Sequence, residues 1–565
     1  MDLALRILAL FCPLLLPATL SATPLNDDER ARLETVLEGL VEEGDPGFAV
    51  GIVRDGEVVF EAYDGLSVIS NAVPITADTR INVASVAKQY TALMVLDLAS
   101  QGKVDLSADF RTYLPEAMSK VETPISLSHL ITHTSGVRDI HYLMSLRGVT
   151  WWERPFSNRY AMRLLNDQVA LNFPPGSEYL YSNSNYILLS EVIAAVTKQP
   201  FHEYARGFFD RLEMPSSGWK ARASSVTPNE ARAYNYWNSW MENPQIAYTH
   251  GDGYLLTTLP DQMAWEQQLQ GASSALSREI LTASQMRLDE DLPGGYGYGL
   301  EMGSFAGSPS IYHVGSTGGY NAYTLRLPEQ NISIVVMVNS SQIGVVDLGN
   351  RLAAGLLEVP VEEIGSNPAG PEVVLARPQN ADVLGRYEVD SGSIITITQQ
   401  DGVLYRELEG SEPAALLHRE GNVFEYSTIP GLMIAFDRTA AGKKRFRLFL
   451  PTQGVQSALE LPLPQTDDAS KAELEGCFYN AETRTEIVME WAGENSFRMI
   501  KNGRPRDATL IGRDYLSWNS YRFRYARDGA GAVTGFRVDI DRIRNVLFEP
   551  WDECRGEKLG RFAPL

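Results

Sequence analysis

A chain of 565 residues is longer than one hydrophobic core usually serves, so we expect several domains. Its 44% hydrophobic and 10% aromatic content is ordinary for a globular protein and excludes a disordered chain. The formal net charge of −22, without any basic run, argues against a nucleic-acid or anionic-membrane binder, because such proteins carry a basic footprint.

Residues 1–22 have the pattern of a signal peptide. Arg6 precedes an apolar run from Ile7 to Leu20, and Ala22 is a small residue suited to cleavage. The run is shorter than the ~20 residues that span a bilayer, which disfavours the alternative of an uncleaved anchor. No later stretch is long and apolar enough to cross, so we predict a periplasmic or secreted protein without a transmembrane span after cleavage.

Two of the three cysteines, Cys477 and Cys554, remain after that cleavage. In an oxidising compartment we expect them to form a disulfide, the alternative being two buried free thiols. One pair of cysteines does not build a zinc site by itself.

Strand patterns stand at both ends of the first 360 residues, and helical patterns lie between them. The predicted elements are, in chain order, a hairpin over 47–60 with its turn at Asp55-Gly56, an apolar helix from near Ser85 to Gly102, a helix from about Tyr186 to Lys198, strands over 311–314, 323–327 and 332–338, and a helix over 345–357. This order predicts one α/β domain whose sheet is completed by both ends of the segment.

Beyond a linker rich in proline and glycine, over 361–379, the pattern changes to short strands separated by turns. We therefore predict a signal peptide (1–22), an α/β domain (23–365) and two small all-β barrels (381–465 and 466–565). A weak repeat supports two similar modules, since Leu384-Gly385-Arg386-Tyr387 opens one and residues 474–479 open the other. In a closed second barrel the first and last strands are neighbours, which would bring Cys477 close to Cys554.

Ser85 and Lys88 have the spacing of a nucleophile and its base. Three positions along a helix return the lysine to the face of the serine, one turn above the hydroxyl. The helix N-terminus favours negative charge beside it, and burial lowers a lysine pKa so that the amine can accept the serine proton at neutral pH. The alternative is a helix-capping serine beside a lysine that extends to solvent.

The same spacing occurs at Ser100/Lys103 and at Ser217/Lys220. Ser100 stands at a predicted helix end, where Lys103 is expected to interact with the helix dipole. Ser217 lies in a turn-like segment. Ser85 alone begins a long apolar helix, which favours it as the nucleophile.

Tyr181-Ser182-Asn183 precedes the second helix. A phenol there can be a second proton carrier, with its pKa lowered by the lysine ammonium, and the asparagine amide can bind a substrate carbonyl. The alternative is a helix cap in which Asn183 or Ser184 satisfies free amides while Tyr181 packs. The tripeptide is not specific, because Tyr236-Trp237-Asn238 matches it too.

His313-Val314-Gly315 lies on a predicted strand, where a lone histidine is usually structural. Gly315 and the following Ser316 to Gly319 let a ligand backbone approach closely. An amide there, together with the amide of Ser85, would form an oxyanion hole.

His129 and His133 are four residues apart, but the metalloprotease helix needs glutamate beside the first histidine, and Leu130 stands there. We therefore predict neither a metal nor a cofactor.

Three motifs, in this order, resemble the serine β-lactamase and penicillin-binding superfamily over about residues 30–360: Ser85 with Lys88, Tyr181-Ser182-Asn183 and His313-Val314-Gly315. The similarity extends to residues 84–92, 130–137, 175–176, 251–254 and 296–300. It is closest to the branch that holds class C β-lactamases, esterases of that fold, D-alanyl-D-alanine carboxypeptidases and D-aminopeptidases.

The resemblance implies an antiparallel sheet flanked by helices, together with an all-helical lobe. The roles that it implies are nucleophilic attack by Ser85, proton movement by Lys88 with Tyr181, orientation of the acyl side chain by Asn183, a cleft-side strand position for His313, and an oxyanion hole from the amides of Ser85 and Ser316.

One departure narrows the resemblance. Many members carry Lys-Thr-Gly or Lys-Ser-Gly on that strand, where the ammonium and hydroxyl hold a substrate carboxylate, but this chain has His313 and Val314. Such a histidine resembles the D-aminopeptidases and some esterases. The D-aminopeptidases also carry two C-terminal barrels, one loop of which reaches the cleft and helps to select a free amino group.

We therefore predict an exported serine hydrolase that acts through an acyl-enzyme on small peptides or amides, in the manner of a D-aminopeptidase. A carboxylesterase, which would act on small esters, or a β-lactamase of the same fold is the alternative. A non-catalytic sensor that binds cell-wall peptides or β-lactams is the alternative from another class, and the intact Ser85, Lys88, Tyr181 and Asn183 argue against it.

Overall fold

A computed structural model describes most of the chain beyond its N-terminal segment. The described residues are 24–150, 155–244, 247–288, 295–360, 383–389, 394–408, 412–419, 422–427, 432–439, 442–450, 454–461, 471–493 and 496–552. The predicted signal peptide, the predicted linker and Cys554 lie outside them.

The sheet of the N-terminal region is antiparallel, with strand order β2-β1-β12-β11-β10-β9. The strands of this region are β1 Phe48–Arg54, β2 Glu57–Asp64, β3 Leu66–Val68, β4 Val73–Pro74, β5 Ile81–Asn82, β6 Ala233–Tyr236, β7 Trp240–Asn243, β8 Leu256–Thr257, β9 Glu301–Phe305, β10 Ser308–Thr317, β11 Tyr320–Leu327 and β12 Ile332–Val338. Strand β1 pairs with β12 from Phe48 opposite Val338 to Arg54 opposite Ile332. Both ends of the segment therefore complete one sheet, as predicted.

The helices cover both faces of this sheet and form a separate lobe beside it. They are α1 Asp27–Leu37, α2 Lys88–Ser100, α3 Leu127–Ile131, α4 Ile140–Leu146, α5 Asn158–Asp167, α6 Asn183–Thr197, α7 Phe201–Arg211, α8 Leu259–Leu269, α9 Arg278–Ser284 and α10 Val345–Leu357, with short 3-10 helices over Ile69–Asn71, Ala84–Ala87 and Phe110–Thr112. Strand β12 is buried along its whole length because α10 lies against one face and α8 against the other. No helix among the described residues is long and apolar enough to span a bilayer.

Two predicted helix starts differ from the structure. Ser85 lies in the 3-10 turn Ala84–Ala87, so α2 begins at Lys88 and not at the serine. Helix α6 begins at Asn183, three residues before the predicted start, and its N-cap is Ser182. Neither Asn183 nor Ser184 is therefore the cap, and both side chains are available for tertiary contacts.

The C-terminal region forms two closed eight-stranded barrels. The first barrel consists of β13 Gly385–Val389, β14 Ile394–Gln400, β15 Val403–Leu408, β16 Ala414–His418, β17 Val423–Tyr426, β18 Met433–Arg438, β19 Lys444–Leu450 and β20 Gly454–Leu461. The second barrel consists of β21 Gly476–Asn480, β22 Thr485–Gly493, β23 Ser496–Lys501, β24 Arg504–Gly512, β25 Tyr515–Trp518, β26 Tyr521–Arg527, β27 Val533–Ile540 and β28 Ile543–Pro550. The two all-β modules and the repeat at Gly385 and Gly476 are thus confirmed.

Closure of the second barrel brings its two ends together. Strand β21 pairs with β28 at Phe478 opposite Pro550, and the N–H of Trp551 donates to the carbonyl of Cys477 at 2.9 Å. Cys477 is disulfide-bonded. Because Cys554 lies outside the described residues, its pairing with Cys477 stays a prediction.

The second barrel packs directly against the helical lobe. Arg138, which is 1% exposed, donates to Glu482 at 2.8 Å and to the carbonyls of Arg544 and Asn545 at 3.2 Å each. These contacts bring the two-residue turn between β27 and β28, residues 541–542, to the mouth of a cleft beside α2.

Candidate active site

Ser85 is presented by a strained turn between β5 and α2. Ala84 has a φ of +46°, which is unfavourable for a residue with a side chain, and its N–H donates to Asn82 at 2.8 Å. Strand β10 passes so close that a Cβ on Gly315 would lie 2.2 Å from the carbonyl oxygen of Val83. The sequence predicts that Gly315 leaves space for a ligand, whereas in the structure its missing side chain makes room for the turn that carries Ser85.

Lys88 is completely buried and faces Ser85. Its Nζ lies 3.0 Å from the Ser85 Oγ and donates to Asn183 Oδ1 at 2.9 Å and to the backbone carbonyl of Asp252. Burial lowers the pKa of Lys88 to about 7, an effect that Asp252 opposes and Arg542 reinforces. A neutral amine is therefore accessible at physiological pH, in contact with the serine hydroxyl.

The other two Ser-x-x-Lys pairs have different partners. Ser100 donates to the carbonyl of Asp97 at 2.8 Å at the end of α2. Ser217 donates to Asp261 at 2.7 Å, while Lys220 pairs with Glu230 at 2.5 Å. Neither pair shows the serine-to-amine contact found at Ser85.

Tyr181 is hydrogen-bonded to Ser85, and its ring lies 4.9 Å from the Lys88 Nζ. From the sequence, the ammonium of Lys88 is expected to lower the pKa of this phenol. The structure reverses that expectation, because burial raises the pKa of Tyr181 well above its usual value. The phenol therefore stays protonated at neutral pH, as suits a proton donor.

Asn183 is held by the carboxylate of Asp139, which was not among the residues predicted from the sequence. Asp139 accepts from the backbone N–H of Asn183 at 2.7 Å and from its side-chain Nδ2 at 3.0 Å. The amide nitrogen is thereby turned toward Asp139 and the amide oxygen toward Lys88. The sequence signal for Asp139 was only its place just after the segment 130–137.

His313 is buried and neutral. Its Nδ1 donates to the carbonyl of Val314 at 2.7 Å, and its Nε2 accepts from the Tyr296 hydroxyl at 2.8 Å. Burial, reinforced by the nearby charge of Lys88, lowers the pKa of His313 to about 3. It therefore does not replace the fixed cation that related strands carry at this position.

The histidines of the metal alternative have separate partners. His129 Nδ1 accepts from the N–H of Ser126 at 3.2 Å, within a helix cap. His133 Nδ1 accepts from the N–H of Ser182 at 3.2 Å, and its ring centre lies 4.2 Å from that of Tyr181. His133 thus supports the segment that carries Tyr181, a role that the sequence did not reveal.

A cleft of about 710 Å³ opens over Ser85. Ser85, Tyr181 and Asn183 line it together with His313 and Ser316, which brings these five predicted site residues to one place. The structure adds residues that the sequence did not single out for the site, which are Asp139, His141, Asp252, Glu301 and Arg542.

The fold and this cleft define a class of protein. The profile of the Beta-lactamase family matches residues 33–357, which is more than half of the chain. The chain therefore belongs to the Beta-lactamase family, and it is a serine hydrolase.

Similar proteins match this chain beyond residues 33–357, into the region of the two barrels. A D-aminopeptidase of Gluconobacter oxydans is 26% identical over 560 residues, which cover 93% of this chain and all of the relative. The octameric penicillin-binding protein homologue from Pyrococcus abyssi has the same fold, with a TM-score of 0.55 and 22% identity over 76% of this chain and 99% of its own. A D-amino acid amidase from Ochrobactrum anthropi matches with a TM-score of 0.50 and 20% identity, over 59% of this chain and 99% of its own.

Proposed function

We propose that this chain is an exported D-aminopeptidase-type hydrolase that cleaves small peptides or amides through an acyl-enzyme on Ser85. The observation that carries the proposal is the 3.0 Å contact between Ser85 Oγ and the buried amine of Lys88, whose pKa is lowered to about 7. The signal pattern in residues 1–22 supports export to the periplasm or the medium.

In the first step Ser85 attacks the substrate carbonyl while its proton passes to Lys88. The amides of Ser85 and Ser316 would hold the developing oxyanion. Tyr181, protonated and hydrogen-bonded to Ser85, delivers a proton to the departing nitrogen as the carbon–nitrogen bond breaks. Acylation leaves Lys88 as an ammonium and Tyr181 as a phenolate. Water then attacks the acyl-enzyme and gives its proton to the Tyr181 phenolate, while the Lys88 ammonium returns a proton to Ser85 Oγ as the ester bond breaks and the acid leaves.

Asn183 and His313 serve this reaction without transferring protons themselves. The Asn183 amide, oriented by Asp139, positions both Lys88 and the acyl group. His313 stays neutral and packs beside the cleft, as it is bound at both ring nitrogens.

An amide substrate and D-stereochemistry are supported by the relatives. The Gluconobacter D-aminopeptidase matches this chain over its whole length, including both barrels. The neutral histidine in place of a strand lysine is a further feature that this chain shares with the D-aminopeptidase pattern.

The test is a panel of D-alanine and L-alanine p-nitroanilides, p-nitrophenyl acetate and nitrocefin. We expect turnover of the D-anilide, and Ser85→Ala should lower kcat by about 10⁴-fold or more because the nucleophile and base act as a unit. Ser100→Ala, which alters the same spacing at an exposed site, is the matched control and should change nothing.

Turnover of the ester alone would replace the peptidase by a carboxylesterase. If mass spectrometry detects no acyl adduct on Ser85 with any compound of the panel, the chain is a binding protein and not an enzyme of this mechanism.

A further inference from the structure

The turn between β27 and β28 brings a cation into the cleft over Ser85. The guanidinium carbon of Arg542 lies 4.6 Å from the centre of the Tyr181 ring and 5.9 Å from that of Tyr142. Because Tyr181 is hydrogen-bonded to Ser85, this cation stands one side chain away from the nucleophile.

The backbone that carries Arg542 is fixed to the helical lobe. The Arg542 carbonyl accepts from the N–H of Asp139 at 3.4 Å and from Asn172 Nδ2 at 3.1 Å. The N–H of Arg544 donates to Asn172 Oδ1 at 2.7 Å, and Asp541 is hydrogen-bonded to Tyr142. A ligand that meets Arg542 therefore meets a group whose position is already ordered, which reduces the entropic cost of binding.

The guanidinium is stacked but not paired. Among the residues that the structure describes, no carboxylate is in ion-pair or hydrogen-bond contact with it, and Asp139 acts on it only through its charge at a distance. The oxygens of Asp139 are occupied by Asn183 and by the N–H of His141 at 2.9 Å. A planar group with several free donors fits a carboxylate in a two-point contact.

The other ionisable groups of the cleft do not compete for this role. Asp252 faces His141, with 3.9 Å between Oδ2 and Nε2. Glu301 is hydrogen-bonded to Tyr312, and burial raises its pKa to about 7. Since His313 is neutral, Arg542 is the fixed positive charge among the described residues that line the cleft.

We propose that Arg542 binds a carboxylate on the leaving-group side of the scissile bond, so that the preferred substrates are short peptides with a free C-terminal carboxylate. The side follows from Tyr181, since the phenol that Arg542 covers is the group assigned to protonate the leaving nitrogen. This inference rests on the proposed function of the same cleft and specifies its substrate class.

The test compares D-alanyl-glycine with D-alanyl-glycinamide, which differ only in the terminal carboxylate. We measure kcat/KM for D-alanine release at pH 9, where Lys88 is neutral, so that any effect of Arg542 on the pKa of Lys88 is suppressed. The wild type should prefer the free acid by about 10- to 100-fold, the range for a hydrogen bond between charged groups. Arg542→Gln should abolish this preference, and Arg542→Lys should keep part of it.

Arg544→Gln is the matched control, because it removes a cation of the same hairpin that pairs with Glu178 at 2.7 Å outside the cleft lining. It should preserve the preference. Equal kcat/KM of the wild type for acid and amide, or an equal loss on both substrates in Arg542→Gln, would overturn the proposal.

If neither dipeptide is cleaved, the proposed peptidase function fails, and the inference is then decided on esters. 4-Acetoxybenzoate and its methyl ester place or remove a carboxylate on the leaving group, and their acylation rates replace dipeptide turnover. A preference for the carboxylate that Arg542→Gln removes supports the role of Arg542, and the same rates in both proteins refute it.

Discussion

The two barrels share a strand order but differ in their relation to the active site. The apolar core of the first barrel is a separate cluster. Residues of the second barrel, such as Phe523 and Val546, belong to the same contiguous core as Leu146 of α4. The same barrel fold is therefore a separate module in one case and part of the wall of the cleft in the other. The contacts that each barrel makes with the helical lobe determine the difference.

The first barrel reaches the rest of the described molecule through the second. Glu388 accepts from the Tyr515 hydroxyl and lies 3.5 Å from Arg524 and 3.7 Å from Arg522. No hydrogen bond between described residues joins the first barrel to residues 24–360. We therefore expect that loss of the contacts between the first barrel and the second has little effect on catalysis.

The largest effect is expected from breaking the buried anchor of the second barrel. Arg138→Met leaves Glu482, which is 8% exposed, without its cation, and it releases the carbonyls of Arg544 and Asn545, which follow the Arg542 turn. The free energy of unfolding should fall by about 3–5 kcal/mol, and most activity should be lost.

Denaturant unfolding and turnover measure this change. Arg54→Met is the control, since the Arg54–Glu29 pair at 2.8 Å lies in the N-terminal region. A loss for Arg138→Met no greater than that of the control would mean that the buried pair does not hold the barrel.

The second barrel should also tune the base. Since burial lowers the pKa of Lys88 to about 7, kcat/KM should rise with pH through that value as the amine loses its proton. Arg542 contributes to this lowering, so Arg542→Gln should move the inflection to higher pH and reduce the rate at pH 7 by less than about tenfold. A pH–rate profile checks this, and an inflection that stays fixed or moves down contradicts it.

A smaller effect is expected in stability against pH. Lys501 donates to the Ser145 carbonyl at 2.9 Å and to the Tyr521 hydroxyl at 2.7 Å where the barrel meets α4, and burial lowers its pKa to about 7. The unfolded chain keeps this proton up to about pH 10.4, so the free energy of unfolding should rise with pH between those values.

Lys501→Met should reduce that rise by at most about 1.4 kcal/mol per pH unit. Lys444→Met, which alters the surface pair with Glu460 in the first barrel, should leave it as it is. Unfolding at pH 7, 8 and 9 distinguishes the variants, and the same pH dependence in wild type and Lys501→Met would refute the assignment.

The smallest effect should follow from Glu388→Ala, which removes the hydrogen bond and the ion pairs between Glu388 and the second barrel. Glu388 and Arg524 are partly exposed, and the buried Arg522 lies 3.7 Å from Glu388, too far for a hydrogen bond. We therefore expect a loss of less than about 1 kcal/mol in stability and unchanged kcat/KM. Thermal unfolding and the substrate panel check this. A clear loss of activity would show that the first barrel positions the second.

Elements with strong local patterns were predictable from the sequence. Strand β12 and helix α10 have the predicted bounds, because a continuous apolar run and a helical period are properties of neighbouring residues. The proposal of Ser85 as the nucleophile followed from context, since Ser85 alone among the three spacings precedes a long apolar helix.

The failures were of another kind. The pKa of Tyr181 is raised because the fold buries the phenol deeply. The spacing of residues along the sequence does not indicate how deeply a side chain is buried. Arg542 lies in a hairpin turn between alternating strands, where a charged residue is ordinary. Arg542 reaches the cleft because Arg138 of the helical lobe binds Glu482 and the hairpin of the second barrel. This contact depends on both regions, so the sequence of neither one predicts it.

The two-residue turn at 541–542 belongs to a closed barrel, in which every strand is hydrogen-bonded to a neighbour on each side. The side chains of the turn can therefore be exchanged without disrupting the strand pairing of the barrel. The lining of the cleft can in this way be changed without replacing Ser85 or Lys88, although exchange of Arg542 also changes the pKa of Lys88. Grafting a different dipeptide onto the hairpin offers a route to redirect the enzyme toward new compounds while the serine and its amine stay untouched.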